Sequence, residues 1–215
     1  MEHAEDRTTL RPGPAWVRSR AKRAFDVVFA IAALIACAPF LALACILIMV
    51  DSPGAPFYRR RMAGRNGAPF WQLKLRTMVA DADRIIERDP AMMARWLAQH
   101  KLKDDPRVTR LGAFLRRHSV DEVPQFWNVV VGEMSVVGPR PLSPTGVADF
   151  GAARDTILSV RPGLTGLWQV SGRQDTTLER RIELDLEYIR EASPWLDIRI
   201  VAGTIGEVAR ARGAY

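Results

Sequence analysis

The stretch "VVFAIAALIACAPFLALACILIMV", Val27 to Val50, lies between Asp26 and Asp51 and carries no charge. Its length matches the roughly 20 apolar residues that a membrane helix needs. It is longer than the roughly 7–15 apolar residues of a signal peptide, and "MVDSPG" does not read as a small-x-small cleavage site. A fully buried soluble helix is the competing reading. A chain of 215 residues has little protein with which to wrap such a segment.

Both flanks of the segment are basic. Arg18, Arg20, Lys22 and Arg23 precede it, and Arg59, Arg60, Arg61 and Arg65 follow it. Basic flanks stay on the cytoplasmic side, so a straight span would place one cluster on the wrong side. Pro39 sits mid-segment, where it removes a backbone donor and crowds the preceding turn. The sequence therefore predicts a re-entrant helix-break-helix, broken at Pro39, with both ends on one face. Backbone freed at membrane depth must then find polar partners.

Charge narrows the partners. The formal net charge is +7 and the pI near 10.1, which favours anionic partners: nucleic acid, acidic lipid or phosphorylated substrates. Arginine, suited to bidentate phosphate contacts, is prominent among the basic residues. The two cysteines, Cys37 and Cys45, both lie in the apolar segment and read as buried small side chains. No zinc spacing or disulfide framework is present, so nothing points to a secreted protein.

Outward from the apolar segment, residues 1–14 read as a flexible polar tail. Residues 15–23 read as a basic amphipathic helix on the lipid surface, with Trp16 at the interface. Residues 55–78 read as a β-hairpin turning at Asn66-Gly67. Residues 79–101 read as one helix with Met92, Met93, Trp96 and Leu97 on its apolar face. Helices are also expected near 108–117, 120–130, 177–191 and 195–210. "VGPRP" must be a rigid turn, and the Gly-rich stretch 161–173 a loop with a short strand. The expected fold is α+β, mainly α-helical with one small hairpin.

In "RRHSVDEVPQFWNV", Arg116 to Val129, Asp121 and Glu122 are adjacent. Ser119 and Glu122 have capping-box spacing, and acids are favoured at a helix start. Pro124 then falls one turn in, which suits Asp121 better as the cap. On a helix, neighbours point about 100° apart, so the two acids suit separate tasks rather than one shared proton. One would attack, kept ionised by the helix start and Arg116; the other would hold a metal. Arg116, Arg117 and Arg140 are candidates to offset phosphate charge. Magnesium suits a site with few carboxylates plus substrate phosphates. Lys74 and Arg76 are two apart on a strand, so they share a face and could grip one anion. Pro139 and Pro141 hold Arg140 in a stiff turn. His118, His3 and His100 are not read as general bases. No Ser-His-Asp, Walker or GxGxxG pattern is present.

Four stretches occur in the order found in bacterial sugar transferases: "KRAFDVVFAIAALI", "DSPGAPFYRRRMAGRNGAPFWQLKLRTM", "DDPRVTRLGAFLRRHSVDEVPQFWNVVVGEMSVVGPRP" and "RPGLTGLWQVSGR". The chain resembles the monotopic phosphoglycosyl transferases over roughly residues 20–210. The resemblance implies transfer of sugar-1-phosphate from a UDP-sugar to undecaprenyl phosphate, releasing UMP, with Mg2+ as cofactor and a phosphosugar-aspartate intermediate. It implies Asp121 as nucleophile and Glu122 as catalytic metal ligand. Lys74, Arg76, Arg116 and the Pro139-Arg140-Pro141 turn would bind phosphate, and Asp185 matches a recurrent acid. It implies a re-entrant membrane helix at residues 15–50 and a catalytic domain at 51–215, on the cytoplasmic face of the bacterial inner membrane. Many relatives carry Ser-Pro at the helix break, where this chain has Ala38-Pro39, so another donor must satisfy the break. The expected unit is the catalytic module without an N-terminal multi-span region. "SGRQDTT" and "RGAY" are similar to exopolysaccharide-initiating members, many of which use UDP-galactose. Membrane lipids are expected partners, with a homodimer or downstream glycosyltransferases as candidate protein partners. Nucleic-acid binding lacks a recognisable module. The alternative of a non-catalytic membrane-surface scaffold does not account for Lys74, Arg76, Arg116, Asp121, Glu122 and Arg140 together.

Overall fold

The computed structural model describes residues 15–99, 105–172 and 176–209. The tail 1–14, the end of the expected 79–101 helix with His100, and the "RGAY" end lie outside the described residues, as do residues 173–175. The chain begins with α1, Ala15–Arg18, and α2, Arg20–Asp51. A single surface helix over 15–23 does not form. Ser19 is extended, and its hydroxyl accepts from the Lys22 amide at 2.9 Å, so Arg20 to Arg23 belong to the first turn of α2.

α2 is one continuous helix with Pro39 inside it. The expected break is therefore no interruption of helical backbone. Pro39 removes the amide that would have met the Ile35 carbonyl. Lys22, Asp26 and Ala30 are buried near one end and Ala44 and Ile48 near the other, with none buried between. Val28, Ile35, Phe40 and Val50 are strongly exposed, as lipid contact requires of an apolar helix.

Strands β1, Phe57–Ala63, and β2, Pro69–Leu75, form the expected antiparallel hairpin, pairing Tyr58 with Lys74 and Arg60 with Gln72. Asn66 (φ 58°) and Gly67 (φ 76°) take the left-handed backbone that the Asn-Gly pair favours. The expected 79–101 helix divides into α3, Ala82–Glu87, and α4, Pro90–Gln99. Asp89 Oδ1 accepts from Ala91 and Met92, both at 3.0 Å, and Pro90 occupies the first helical position. Met92 and Met93 are half-buried; the side chains of Trp96 and Leu97 lie outside the described set.

α5, Arg110–Arg117, a 3₁₀ turn at Val120–Glu122, and α6, Gln125–Val131, lead into β3, Ser135–Val137. A 3₁₀ turn at Ala148–Ala153 and α7, Arg154–Leu158, occupy a region with no clear signal in the sequence. β4, Gly163–Thr165, pairs parallel with β3, followed by α8, Leu167–Val170, α9, Leu178–Glu191, and α10, Pro194–Ala209. A side chain on Gly163 would strike the Gly138 backbone, so the strands meet only because both positions are glycine. The main core gathers Val129, Met134, Val136, Phe150, Tyr188 and Ile200, with Ala30 of α2 inserted into it. A second cluster joins Ala44 and Ile48 of α2 to Leu75 and Leu115.

Of the basic flank before the apolar segment, Arg18 and Arg20 are exposed, while Lys22 and Arg23 turn inward. Lys22 Nζ lies 2.8 Å from Asp26 and 3.0 Å from Asp197 of α10, all three buried. Asp26 also accepts from the Ser135 hydroxyl and the Val136 amide of β3. Asp197 accepts from Tyr188 and from the indole of Trp16, which packs against the main core rather than at the expected lipid interface. Arg23 donates to the Val129 and Val130 carbonyls at the end of α6.

Candidate active site

Asp121 owes its position to a local reversal. α5 ends at His118, and Ser119 adopts left-handed backbone (φ 54°). The hydroxyl of Ser119 therefore caps nothing, and the capping box suggested by Ser119 and Glu122 does not form. The chain turns once as 3₁₀ helix, leaving Asp121 only 7% exposed. Pro124 then precedes α6 as its N-cap residue.

The hairpin brings the cation. Lys74 Nζ lies 2.6 Å from Glu122 Oε1 and 3.8 Å from Asp121 Oδ2. Asn128 sets this meeting. Its amide donates to the Trp71 carbonyl and to Glu133, and its carbonyl accepts from the Leu73 amide, so α6 grips β2 beside Lys74. Gln72 reinforces the grip by donating to Gln125 at 3.0 Å. Asn128, Gln125 and Gln72 were missed in the sequence; their only signal was a polar residue inside an apolar run.

The turn after β3 brings a second cation. Pro139 and Pro141 are buried, and the Pro139 carbonyl accepts from Gly163 at 2.7 Å. Arg140, between them, reaches out to place Nη2 3.9 Å from Glu122 Oε1. Arg116 donates to the Thr77 hydroxyl at 2.9 Å, and its charge acts on Asp121. Burial pushes the Asp121 carboxyl above the ordinary carboxylate range, with a further push from Glu122, while Lys74 and Arg116 pull it down. The expected help from Arg116 in holding Asp121 ionised is present, but burial outweighs it and the helix start supplies no cap.

The family model described as bacterial sugar transferase matches residues 17–211. The chain belongs to the bacterial sugar transferase family. It is 41% identical over 215 residues to the exopolysaccharide production protein ExoY of Rhizobium meliloti, covering 98% of this chain and 93% of the relative. It is 40% identical over 219 residues to the UDP-glucose:undecaprenyl-phosphate glucose-1-phosphate transferase of Caulobacter vibrioides, covering 96% and 78%. It is 43% identical over 198 residues to the UDP-galactose-lipid carrier transferase of Erwinia amylovora. That match covers 90% of this chain but only 41% of the relative's length.

In this sugar transferase, two of the expected residues lie apart from the Asp121–Glu122 pair. Arg76 turns away from it: Nη1 donates to the Pro53 carbonyl at 3.0 Å and Nη2 to that of Ser52, just beyond α2. Asp185, on α9, is 1% exposed, and neither carboxylate oxygen finds a hydrogen-bond partner among the described residues. Burial pushes its carboxyl up to about 7 against the pull of Arg181 and Arg140. The Arg181 guanidinium lies 4.8 Å from the Trp168 ring centroid and that of Arg140 5.7 Å from it. Arg140 thus joins the acid pair on one side to the Asp185–Arg181–Trp168 cluster on the other. Arg117 is exposed, and His118 is engaged with the Phe114 carbonyl at 2.9 Å.

Among the described residues no three His, Cys, Asp or Glu side chains gather as a metal-binding group. Glu122, a hard-oxygen donor beside Asp121, nevertheless suits magnesium when substrate phosphates complete the shell.

Proposed function

We propose that this chain transfers a sugar-1-phosphate from a UDP-sugar to undecaprenyl phosphate and so begins exopolysaccharide assembly. Family membership and the names of the relatives support the reaction class. The observation that carries the mechanism is a buried carboxylate, Asp121, flanked by Lys74 and Arg116 and adjoining a second acid.

An oxygen of ionised Asp121 attacks the phosphorus that bears the sugar. The bond from that phosphorus to the bridging oxygen breaks, and UMP leaves with the electron pair. A phosphate oxygen of the lipid then attacks the same phosphorus, and the carboxylate leaves as it came. Lys74 and Arg140 neutralise phosphate oxygens in both steps, and Arg116 favours the ionised form of Asp121. Glu122, beside Asp121, would hold Mg2+, which supplies further neutralisation of phosphate charge when bound.

The helix α2 supports a membrane location. Its mean hydropathy over an 18-residue window is 2.8, and 11% of that window is buried. Both of its ends pack on the same domain. We read this as a helix that enters and leaves one membrane face, the cytoplasmic face of the inner membrane.

The test uses detergent-solubilised protein with labelled UDP-galactose, UDP-glucose and related donors, magnesium, and no lipid acceptor. A covalent adduct should form with one of them and be lost in Asp121→Asn. Undiminished UMP release by Asp121→Asn would overturn the mechanism.

A further inference from the structure

The sequence paired Lys74 with Arg76 as an anion clamp, but Arg76 is committed to the carbonyls of Ser52 and Pro53. The hairpin register supplies a different cation. Opposed residues of an antiparallel pair project to one face, as do positions two apart on each strand. Tyr58 stands opposite Lys74, and Arg60 opposite Gln72. The face is identified by its contacts: Lys74 reaches Glu122, and Gln72 reaches Gln125. Tyr58 and Arg60 therefore share the Lys74 face, with Arg60 diagonal to Lys74.

The Ala63 amide donates to the Leu142 carbonyl at 2.8 Å, so the segment that follows Arg140 meets β1 at its last residue. Tyr58 and Arg60 are exposed. Among the described residues, the Arg60 guanidinium makes no ion pair or hydrogen bond. The other site cations are already opposed: Lys74 and Arg140 by Glu122, Arg116 by Asp121. Arg59 and Arg61 alternate onto the opposite face, where Trp71 opposes Arg61.

We propose that Arg60, with the Tyr58 hydroxyl beside it, is a phosphate-binding residue of this active site. It takes the oxygens of a phosphoryl group adjacent to the phosphorus attacked at Asp121. The inference rests on the transferase reading above. A guanidinium grips two phosphate oxygens at once, and one not already offset by a carboxylate adds attraction when a charged substrate arrives. The phosphate has two sources: the nucleotide half of the donor in the first step, or the lipid phosphate in the second.

Adduct formation from labelled UDP-sugar and chase of that adduct by undecaprenyl phosphate are measured separately for Arg60→Met, Arg60→Lys and Arg59→Met. Loss of about tenfold in adduct formation at low donor concentration in Arg60→Met supports contact with the nucleotide phosphate. Normal adduct formation with a chase slowed about tenfold supports contact with the lipid phosphate. In either case Arg60→Lys recovers part of the loss, and Arg59→Met stays within about twofold of the unaltered chain. Both steps within twofold in Arg60→Met, or an equal loss in Arg59→Met, would overturn the role. Absence of any adduct in the unaltered chain would overturn the transferase reading itself, and the role of Arg60 with it.

Discussion

Asp185 is an acid on the apolar face of an amphipathic helix. It stands three residues after Ile182 and four before Ile189 on α9, so helical spacing sets it among the buried side chains. Folded, its carboxyl titrates near 7, whereas in an open chain it titrates at an ordinary value near 3.8. The folded protein therefore holds a proton there that the unfolded chain releases between these values. Stability is favoured below about pH 4 and falls as the pH rises towards 7, by on the order of 4 kcal/mol for a shift of this size. Asp185→Asn should melt at a higher temperature than the unaltered chain at pH 7.5, with the gap narrowing towards pH 4.5. Thermal melts across this range are the check; parallel curves would show that the buried charge is compensated. The adjacency of Asp121 and Glu122 was legible at once, because it is covalent. The burial of Asp121 and the separation of Arg76 from Lys74 were not, because each depends on a distant segment.

Elements with strong local signals formed as read. Thr177 caps α9 through its hydroxyl, Pro194 opens α10, and Asn66-Gly67 turns the hairpin. Weak or conflicting signals failed. Asp89-Pro90 divides the expected 79–101 helix because proline suits a first turn and Asp89 caps the amides behind it. β3 is only three residues long, and its pairing with β4 rests on two glycines rather than on a strand pattern. The join between α2 and the rest is a buried cation held by two acids, Lys22 with Asp26 and Asp197. Lys22→Met would leave both carboxylates without their counter-charge, at a cost of about 3–5 kcal/mol. For a chain of this size that corresponds to a drop in Tm of roughly 10 °C. A melting temperature within 1 °C of the unaltered chain would show that solvent or lipid replaces the lysine.

For the whole molecule, the question is how a long apolar helix sits in a membrane. At 1.5 Å per residue, α2 is about 48 Å long, against a hydrocarbon core of about 30 Å. Its start is tied to β3 and α10, and its end to Leu75, Leu115 and Arg76. A domain in water cannot hold both ends if the helix crosses fully. With Cys37 and Cys45 changed to Ser, Ala15→Cys and Ala55→Cys should both react with an impermeant thiol reagent from the same side of membrane vesicles. Labelling from opposite sides would overturn the re-entrant reading. The sequence by itself determined what is local: an uncharged helix with basic flanks, the hairpin turn, and two acids side by side. Periodicity, backbone preferences and covalent adjacency act over a few residues and need no partner. Only the tertiary structure decided which charges meet. Lys74 and Glu122 are 48 residues apart, and Asp26 and Ser135 are 109 apart. Such pairings depend on how helices and strands dock, and docking alone turned Arg76 to backbone carbonyls.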